Sequence, residues 1–157
     1  MNTTETWALL GFVALCLGVG GVSGYFTAAG VGAWYDGLKK PAFQPPKWLF
    51  GPVWTVLYLA MAIAAWLVWR QAGLWSAALG LFGLQLALNF AWSFIFFTAH
   101  RLGLALIDLI ALWITVAATI GAFSAYDHWA AALLVPYLAW LSFAALLNAS
   151  VWRLNAA

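Results

Sequence analysis

Three apolar stretches of the sequence place aromatic and polar side chains at the spacing of one helix face. The stripes are Trp54, Tyr58 and Met61; Gln85, Asn89, Trp92 and Phe96; and Tyr137, Trp140, Ala144 and Asn148. Aromatic rings stack on flat apolar molecules, while hydroxyl and amide groups donate and accept hydrogen bonds. Two interpretations are open: a packed interior whose amides satisfy one another, which the stripes alone favour, or a cavity lined by aromatic rings.

No catalytic or metal-binding constellation accompanies these stripes, and we expect no metal and no cofactor. His100 and His128 lack a Cys or Glu at ligand spacing. The glycine-rich segment Gly18–Gly24 lies inside an apolar run with no strand before it, which indicates helix packing rather than a phosphate-binding loop. Asp108 is the one acid well inside an apolar run. A functional role, an ion pair with Arg101 or a hydrogen bond to a neighbouring helix would each explain it.

The composition indicates that this chain is surrounded mainly by lipid. Hydrophobic residues make up 67% and charged residues 6% of its 157 residues, whereas soluble domains carry roughly 25% charged residues. The net charge of +2 is too small and too localised to indicate nucleic acid binding. Because Cys16 is the only cysteine, no internal disulfide can form. Glu5, with no Lys or Arg before the first apolar run, argues against a signal peptide, so we expect this segment to stay in the mature protein.

Charged residues divide the sequence into five apolar runs, each long enough for a membrane-spanning helix. A bilayer core of about 30 Å needs about 20 helical residues, and lipid offers no partner for free backbone groups. The predicted fold class is therefore all-α, an integral membrane bundle of five transmembrane helices in one domain of residues 1–157. The predicted spans are about 7–29, 48–69, 74–99, 102–126 and 129–152.

Basic residues are distributed unequally between the two sides of this bundle. Most fall on the side of the first loop and the C-terminus: Lys39, Lys40, Lys47, Arg101 and Arg153. Arg70 alone falls on the other side. For a bacterial inner membrane, the positive-inside rule predicts a cytoplasmic first loop and C-terminus and an N-terminus outside.

The third predicted helix carries a second stripe, made of small residues and lying opposite its polar one. Its main members are Gly80, Gly83, Ala87 and Ala91. Small residues let helices approach closely in lipid. The stripe therefore indicates either contact between two copies in a homodimer or packing within the bundle.

The segment Trp34–Trp48, WYDGLKKPAFQPPKW, interrupts the apolar chain. It holds four of the ten charged residues and three of the five prolines. Proline fixes φ and removes a backbone donor, so the segment cannot simply continue a helix. It predicts a stiff loop over residues 30–47.

This segment and its continuation to Tyr58, WYDGLKKPAFQPPKWLFGPVWTVLY, resemble the TspO/MBR family of tryptophan-rich sensory proteins and translocator proteins. Further matches are LNFAWSFIFF (Leu88–Phe97) and VPYLAWLSFAALLN (Val135–Asn148). The resemblance extends over essentially the whole chain. It implies a five-helix bundle, often dimeric, with a pocket that opens towards the first loop. It also implies binding of porphyrins and of drug-like isoquinoline carboxamides and benzodiazepines.

Together, the resemblance and the stripes predict a ligand site. Its binding residues would be Tyr35, Trp54, Tyr58, Asn89, Trp92, Trp140, Ala144 and Asn148. The loop of residues 30–47 would form a lid, with Tyr35 towards the ligand. Lys39, Lys40 and Lys47 would lie at the pocket mouth and attract carboxylates, although anchoring at lipid headgroups explains these lysines equally well.

The predicted function is a membrane receptor or transporter for porphyrins in tetrapyrrole homeostasis and stress sensing. One alternative is light- and oxygen-dependent porphyrin degradation with Trp54 and Trp140 as redox-active side chains, and another is a ligand-responsive signalling scaffold. The expected partners are porphyrins, drug-like ligands, membrane lipid and a second copy of the chain. Cholesterol is a doubtful ligand, because the basic residue that the family motif requires within five positions of Tyr137 comes only at Arg153.

Overall fold

The computed structural model describes residues 1–156, and five long helices account for most of them. The helices are α1 (Thr3–Gly30), α2 (Lys47–Ala72), α3 (Ala77–Phe97), α4 (Leu102–Ser124) and α5 (His128–Asn155). All five are long and apolar enough to cross a membrane. The predicted all-α membrane bundle of five helices is confirmed, and the ends of α2 to α5 agree with the predicted spans to within about one helical turn.

Polar side chains cap α1, α3 and α5 where these helices begin. At the start of α1, Asn2 Oδ1 accepts from the backbone N–H of Glu5, and the Glu5 carboxylate accepts from the backbone N–H of Asn2. At the start of α5, Asp127 accepts from the backbone N–H groups of Trp129 and Ala130. Since lipid cannot satisfy terminal backbone groups, these caps let the helices end near the membrane surface.

The five helices form a ring in which each helix packs against two main neighbours. The order around the ring is α1, α2, α5, α4, α3 and back to α1. The other four helices bury much of their length, whereas α1 buries only Cys16 and Ser23. α1 is therefore the helix most exposed to lipid.

The predicted end of the first span and the predicted loop need correction, because helical structure continues further than expected. A π-helical segment, Val31–Tyr35, follows α1 across a kink at Gly32, whose ψ of −140° is not helical, and helical structure then runs to Gly37. The prediction of a loop over residues 30–47 is thus wrong in its first part. The π-helical segment contains no proline and continues the helix, whereas Pro41 and the pair 45–46 prevent the following residues from doing so.

The small-residue stripe of α3 lies on the outside of the bundle. Gly80, Gly83 and Ala87 are exposed, and Ala91 is partly exposed. A Cβ added to either glycine would meet no atom within 4 Å. The interpretation in which this stripe packs within the bundle is therefore wrong, and contact between two copies stays a prediction.

Gly30 marks a very close approach of α1 to α3. A Cβ at this position would lie 2.3 Å from the backbone oxygen of Phe97 and 2.7 Å from its Cβ. Backbone cannot move aside as the tip of a flexible side chain can. This contact therefore sets the separation of the two helices at the end of the bundle that carries the first loop.

Gly30→Ala is expected to destabilise the protein by about 1–3 kcal/mol, the usual cost of forcing extra volume into a packed site. Thermal unfolding in detergent measures the change. Gly18→Ala is the matched control, because Gly18 is an exposed glycine of α1 whose added Cβ would meet no atom within 4 Å. The control should be unchanged or stabilised by up to about 1 kcal/mol, since alanine favours a helix over glycine. Equal melting temperatures for the two variants would contradict the role assigned to Gly30.

Candidate functional site

A cavity of about 690 Å³ lies between α1, α2, α3 and α5, and no residue of α4 lines it. All eight residues predicted to bind a ligand line this cavity: Tyr35, Trp54, Tyr58, Asn89, Trp92, Trp140, Ala144 and Asn148. Sites for drug-sized organic molecules have volumes of about 300–1,000 Å³. The predicted residues thus share one space of suitable size for a small organic ligand.

Two tryptophans meet edge to face on one wall of the cavity. The rings of Trp54 on α2 and Trp140 on α5 have centroids 6.5 Å apart and planes at 90°. Trp54 also packs against Tyr137 with centroids 6.2 Å apart, and Trp140 against Phe50 with centroids 5.8 Å apart. These contacts hold both indoles in fixed orientations while both still line the cavity.

A chain of buried hydrogen bonds runs beside the cavity and joins α2, α3 and α5. Tyr58 Oη donates to Asn89 Oδ1 at 2.5 Å, and Asn89 Nδ2 donates to Tyr137 Oη at 2.8 Å. Tyr137 Oη then donates to Gln85 Oε1 at 2.8 Å. The amides are satisfied internally, as a packed interior requires, yet Tyr58 and Asn89 also line the cavity. Each interpretation of the stripes therefore describes part of the structure.

A separate pair of hydrogen bonds holds Trp92. Its Nε1 donates to Asn148 Oδ1 at 3.0 Å, and Asn148 Nδ2 donates to the backbone oxygen of Leu102 at 3.0 Å. Asn148 thereby joins α3 and α5 to the first residue of α4. Because the indole N–H already has a partner, the ring surface of Trp92 is what it offers to a ligand.

Residues 36–46, the first-loop segment, lie against Tyr35 at one end of the cavity. Tyr35 is buried, and its Oη accepts from Gln44 Nε2 at 2.6 Å. The Lys40 ammonium lies 4.8 Å from the centre of the Tyr35 ring. Lys47 forms an ion pair with Asp36, and the hydrogen bond from its ammonium lowers the pKa of the Asp36 carboxyl. The pair therefore persists to pH values below the usual range of a carboxyl group, but its exposure makes it a weak fastening.

Of the three lysines predicted at the pocket mouth, only Lys47 lines the cavity. The Lys40 ammonium donates instead to the backbone oxygens of Asp36 and Leu38, at 3.3 and 3.1 Å. Lys39 is exposed. The first-loop segment thus folds back on itself and keeps these two lysines off the cavity wall.

The backbone of Lys39 is fixed to the end of α5. Its N–H donates to Asn155 Oδ1 at 3.0 Å, and its carbonyl oxygen accepts from Asn155 Nδ2 at 2.8 Å. This paired contact ties the first-loop segment to the C-terminal turn of the bundle. No local sequence pattern indicated it.

The contribution of α1 to the cavity was also missed. Gly20 does pack closely, as predicted for the glycine-rich segment, because an added Cβ would lie 2.6 Å from a ring carbon of Tyr58. Gly20 also borders the cavity, together with Gly21, Gly24 and Ser23. A lone serine among glycines in an apolar run was the available signal.

The acidic side chain inside the membrane span lies outside the cavity wall. Asp108 on α4 is partly buried, and its Oδ2 has no hydrogen-bond partner. The ion pairs within residues 1–156 join other residues, so the considered pair of Asp108 with Arg101 is not formed. In the same part of the chain, no three His, Cys, Asp or Glu side chains are grouped to hold a metal ion.

Comparison with known proteins agrees with this architecture. Residues 12–153 match the model of the TspO/MBR family. The chain is 48% identical to the Translocator protein of Homo sapiens over 126 residues, which cover 78% of this chain and 75% of that protein. It is 41% identical to the Tryptophan-rich protein TspO of Archaeoglobus fulgidus over 150 residues, covering 94% of this chain and 97% of that protein. The chain therefore belongs to the TspO/MBR family, as its loop motif indicated.

Proposed function

We propose that this protein is a membrane receptor or transporter that binds porphyrins in the cavity between α1, α2, α3 and α5 and serves tetrapyrrole homeostasis and stress sensing. The observation that carries the proposal is the presence of Trp54, Trp92 and Trp140 on the wall of one cavity of about 690 Å³. Indole rings offer flat apolar surfaces on which an aromatic macrocycle stacks. Drug-like aromatic ligands would share the same surfaces.

Charge at the cavity supports a ligand that carries carboxylates. Within the described residues 1–156, Lys47 is the one charged residue on the cavity wall, and its ammonium lies 6.0 Å from the centre of the Tyr35 ring. An ammonium at this position attracts the carboxylates of a porphyrin. Because Asp36 already pairs with Lys47, a ligand carboxylate would compete with Asp36 for it.

The names of similar proteins support a role in moving or sensing a ligand. The similar protein of Homo sapiens is called a translocator protein, and that of Cereibacter sphaeroides, 41% identical over 95% of this chain and 92% of its own length, is called a tryptophan-rich sensory protein. In the first case the ligand in the cavity would be carried across the membrane. In the second case the bound ligand would be the signal, and a partner protein docked on this protein as a scaffold would respond to it.

The orientation and assembly that we propose follow from charge and exposure. The first loop and the C-terminus face the cytoplasm and the N-terminus lies outside, in agreement with the unequal distribution of basic residues. The contact between Lys39 and Asn155 is compatible with this, since it joins the loop to the end of α5. A homodimer would form through the exposed stripe of small residues on α3, where two helices can approach closely.

A second candidate function is the light- and oxygen-dependent degradation of the bound porphyrin. The observation in its favour is the direct contact between Trp54 and Trp140 on the cavity wall. In this reaction the light-excited porphyrin loses one electron, which passes through the indoles to dioxygen, so that the porphyrin is oxidised and dioxygen is reduced to superoxide. The reaction needs no acid–base pair.

Protoporphyrin titrated in the dark should bind saturably, and the affinity should depend on Trp140. Trp140→Ala removes a stacking surface, and we expect the dissociation constant to rise about tenfold, as the loss of about 1–1.5 kcal/mol of aromatic contact implies. The shift in porphyrin absorbance measures binding. Trp75→Ala is the matched control, because Trp75 is 95% exposed and lies outside the cavity. A wild-type protein that shows no saturable binding would reject the porphyrin proposal.

Lys47→Gln should weaken protoporphyrin binding by a factor of about 1.4 to 5, since an exposed charge pair is worth about 0.2–1 kcal/mol. Binding of the uncharged dimethyl ester should not change. Asp36→Asn is the control for the broken ion pair: it removes a competitor for Lys47, so affinity for protoporphyrin should be kept or raised. An equal loss of affinity for the acid and the ester would mean that Lys47 acts through the fold instead.

Illumination in air tests the second candidate function. If it holds, bound protoporphyrin loses its absorbance, and the double variant Trp54→Phe with Trp140→Phe slows this bleaching at least about tenfold, because phenylalanine keeps a ring but not a readily oxidised indole. Trp75→Phe should bleach at the wild-type rate. Binding without any bleaching rejects the enzyme, and bleaching that survives in the double variant removes both tryptophans from the reaction.

A further inference from the structure

Five small residues of α1 and α2 both line the cavity and are exposed. They are Gly21, Gly24 and Ala28 on α1 and Gly51 and Thr55 on α2. Such small, exposed residues on two neighbouring helices leave an opening between them. Because both helices span the membrane, this opening faces lipid.

The seam between the two helices is closed on one side of this opening and free of contacts at its rim. At Gly20 the seam is closed, since an added Cβ would lie 2.6 Å from the ring of Tyr58. At Gly21, Gly24 and Gly51 an added Cβ would meet no atom within 4 Å. There is therefore room around these three glycines, and their backbone conformation does not require glycine.

Behind the opening lies a buried polar atom without a partner. Ser23 is 5% exposed and lines the cavity. Its Oγ lies near the Tyr58 hydroxyl, which donates to Asn89, and within residues 1–156 it forms no hydrogen bond of normal geometry. Other hydroxyls in the spans donate to the carbonyl oxygen four residues earlier, as Thr27 and Thr55 do. An unpaired buried hydroxyl is unfavourable, so a ligand atom that reaches it gains a hydrogen bond at little cost.

We propose that the opening between α1 and α2 is a lateral entrance through which the ligand passes from the bilayer into the cavity. The ligand class that fits is a flat, mostly apolar molecule with a few polar atoms, which dissolves in lipid before it binds. At the other end of the cavity the first-loop segment lies against Tyr35, whose hydroxyl accepts a hydrogen bond from Gln44. The proposal rests on the ligand-binding function proposed above and adds the route to the site.

Leucine at the rim should slow both the entry and the release of the ligand, and equilibrium titration of each variant separates this effect from any change in affinity. Gly21→Leu and Gly51→Leu each add an apolar side chain where the protein leaves room. With protoporphyrin and protein in liposomes, stopped-flow tryptophan quenching should show association and dissociation rates that both fall about tenfold, since a barrier on the route acts equally in both directions. Gly11→Leu is the matched control, because Gly11 is an exposed glycine of α1 that lies outside the cavity wall. Its rates should equal those of the wild type.

Unchanged rates in both rim variants would overturn the entrance. Faster exchange in Gln44→Ala, with no effect of the rim variants, would place the route at the first-loop segment and also overturn it. If wild-type protein does not bind protoporphyrin, the proposed ligand is rejected. The entrance is then tested with a probe that needs no ligand.

Ser23→Cys provides that probe, since it places a thiol at the inner end of the opening. In liposomes at about pH 8.5, pyrenyl maleimide dissolved in the lipid should label this thiol, and adding Gly21→Leu should slow the labelling about tenfold. Adding Gly11→Leu should not slow it. The wild-type chain gives the background, because its Cys16 is 0% exposed. Equal labelling rates in the two leucine variants would overturn the entrance.

Discussion

In lipid, a buried polar group without a partner inside the protein is costly, and this cost shapes the core of the bundle. The side chains from Tyr58 through Asn89 and Tyr137 to Gln85 avoid it by bonding to one another. Because successive hydrogen bonds join different helices, this network fixes the relative positions of α2, α3 and α5. A fully satisfied polar network of this kind specifies a single arrangement more strictly than apolar packing does.

The cavity keeps its shape because groups behind its wall support the rings that line it. Asn148 holds the Trp92 indole, and Leu102 at the start of α4 holds Asn148 in turn. Trp54 and Trp140 brace each other from two helices. Although α4 lines no part of the cavity, its first residue thus helps to position Trp92 on the cavity wall.

The helices and most of the candidate site were predictable because their signals are local. Charges and prolines mark the helix ends in an apolar chain, and helical spacing gathers Trp54, Asn89 and Trp140 onto faces that meet. The α1 wall was not predictable, because the space beside a glycine depends on how far away the next helix lies. The position of Lys39 was equally hidden, since its partner Asn155 is 116 residues away. The π-helical extension of α1 was not predicted, because glycines in an apolar run are as compatible with the end of a helix as with its continuation.

Asn155 belongs to two parts of the molecule at once. Its Nδ2 donates to the Lys39 carbonyl and also to the carbonyl of Val151, one turn earlier in α5, at 2.8 and 2.7 Å. Val151 in turn lines the cavity. Displacement of the first-loop segment would thus withdraw hydrogen bonds from the last turn of the helix that carries Trp140. The conformation of the C-terminal turn of α5 would therefore report the position of the first-loop segment to molecules outside the membrane.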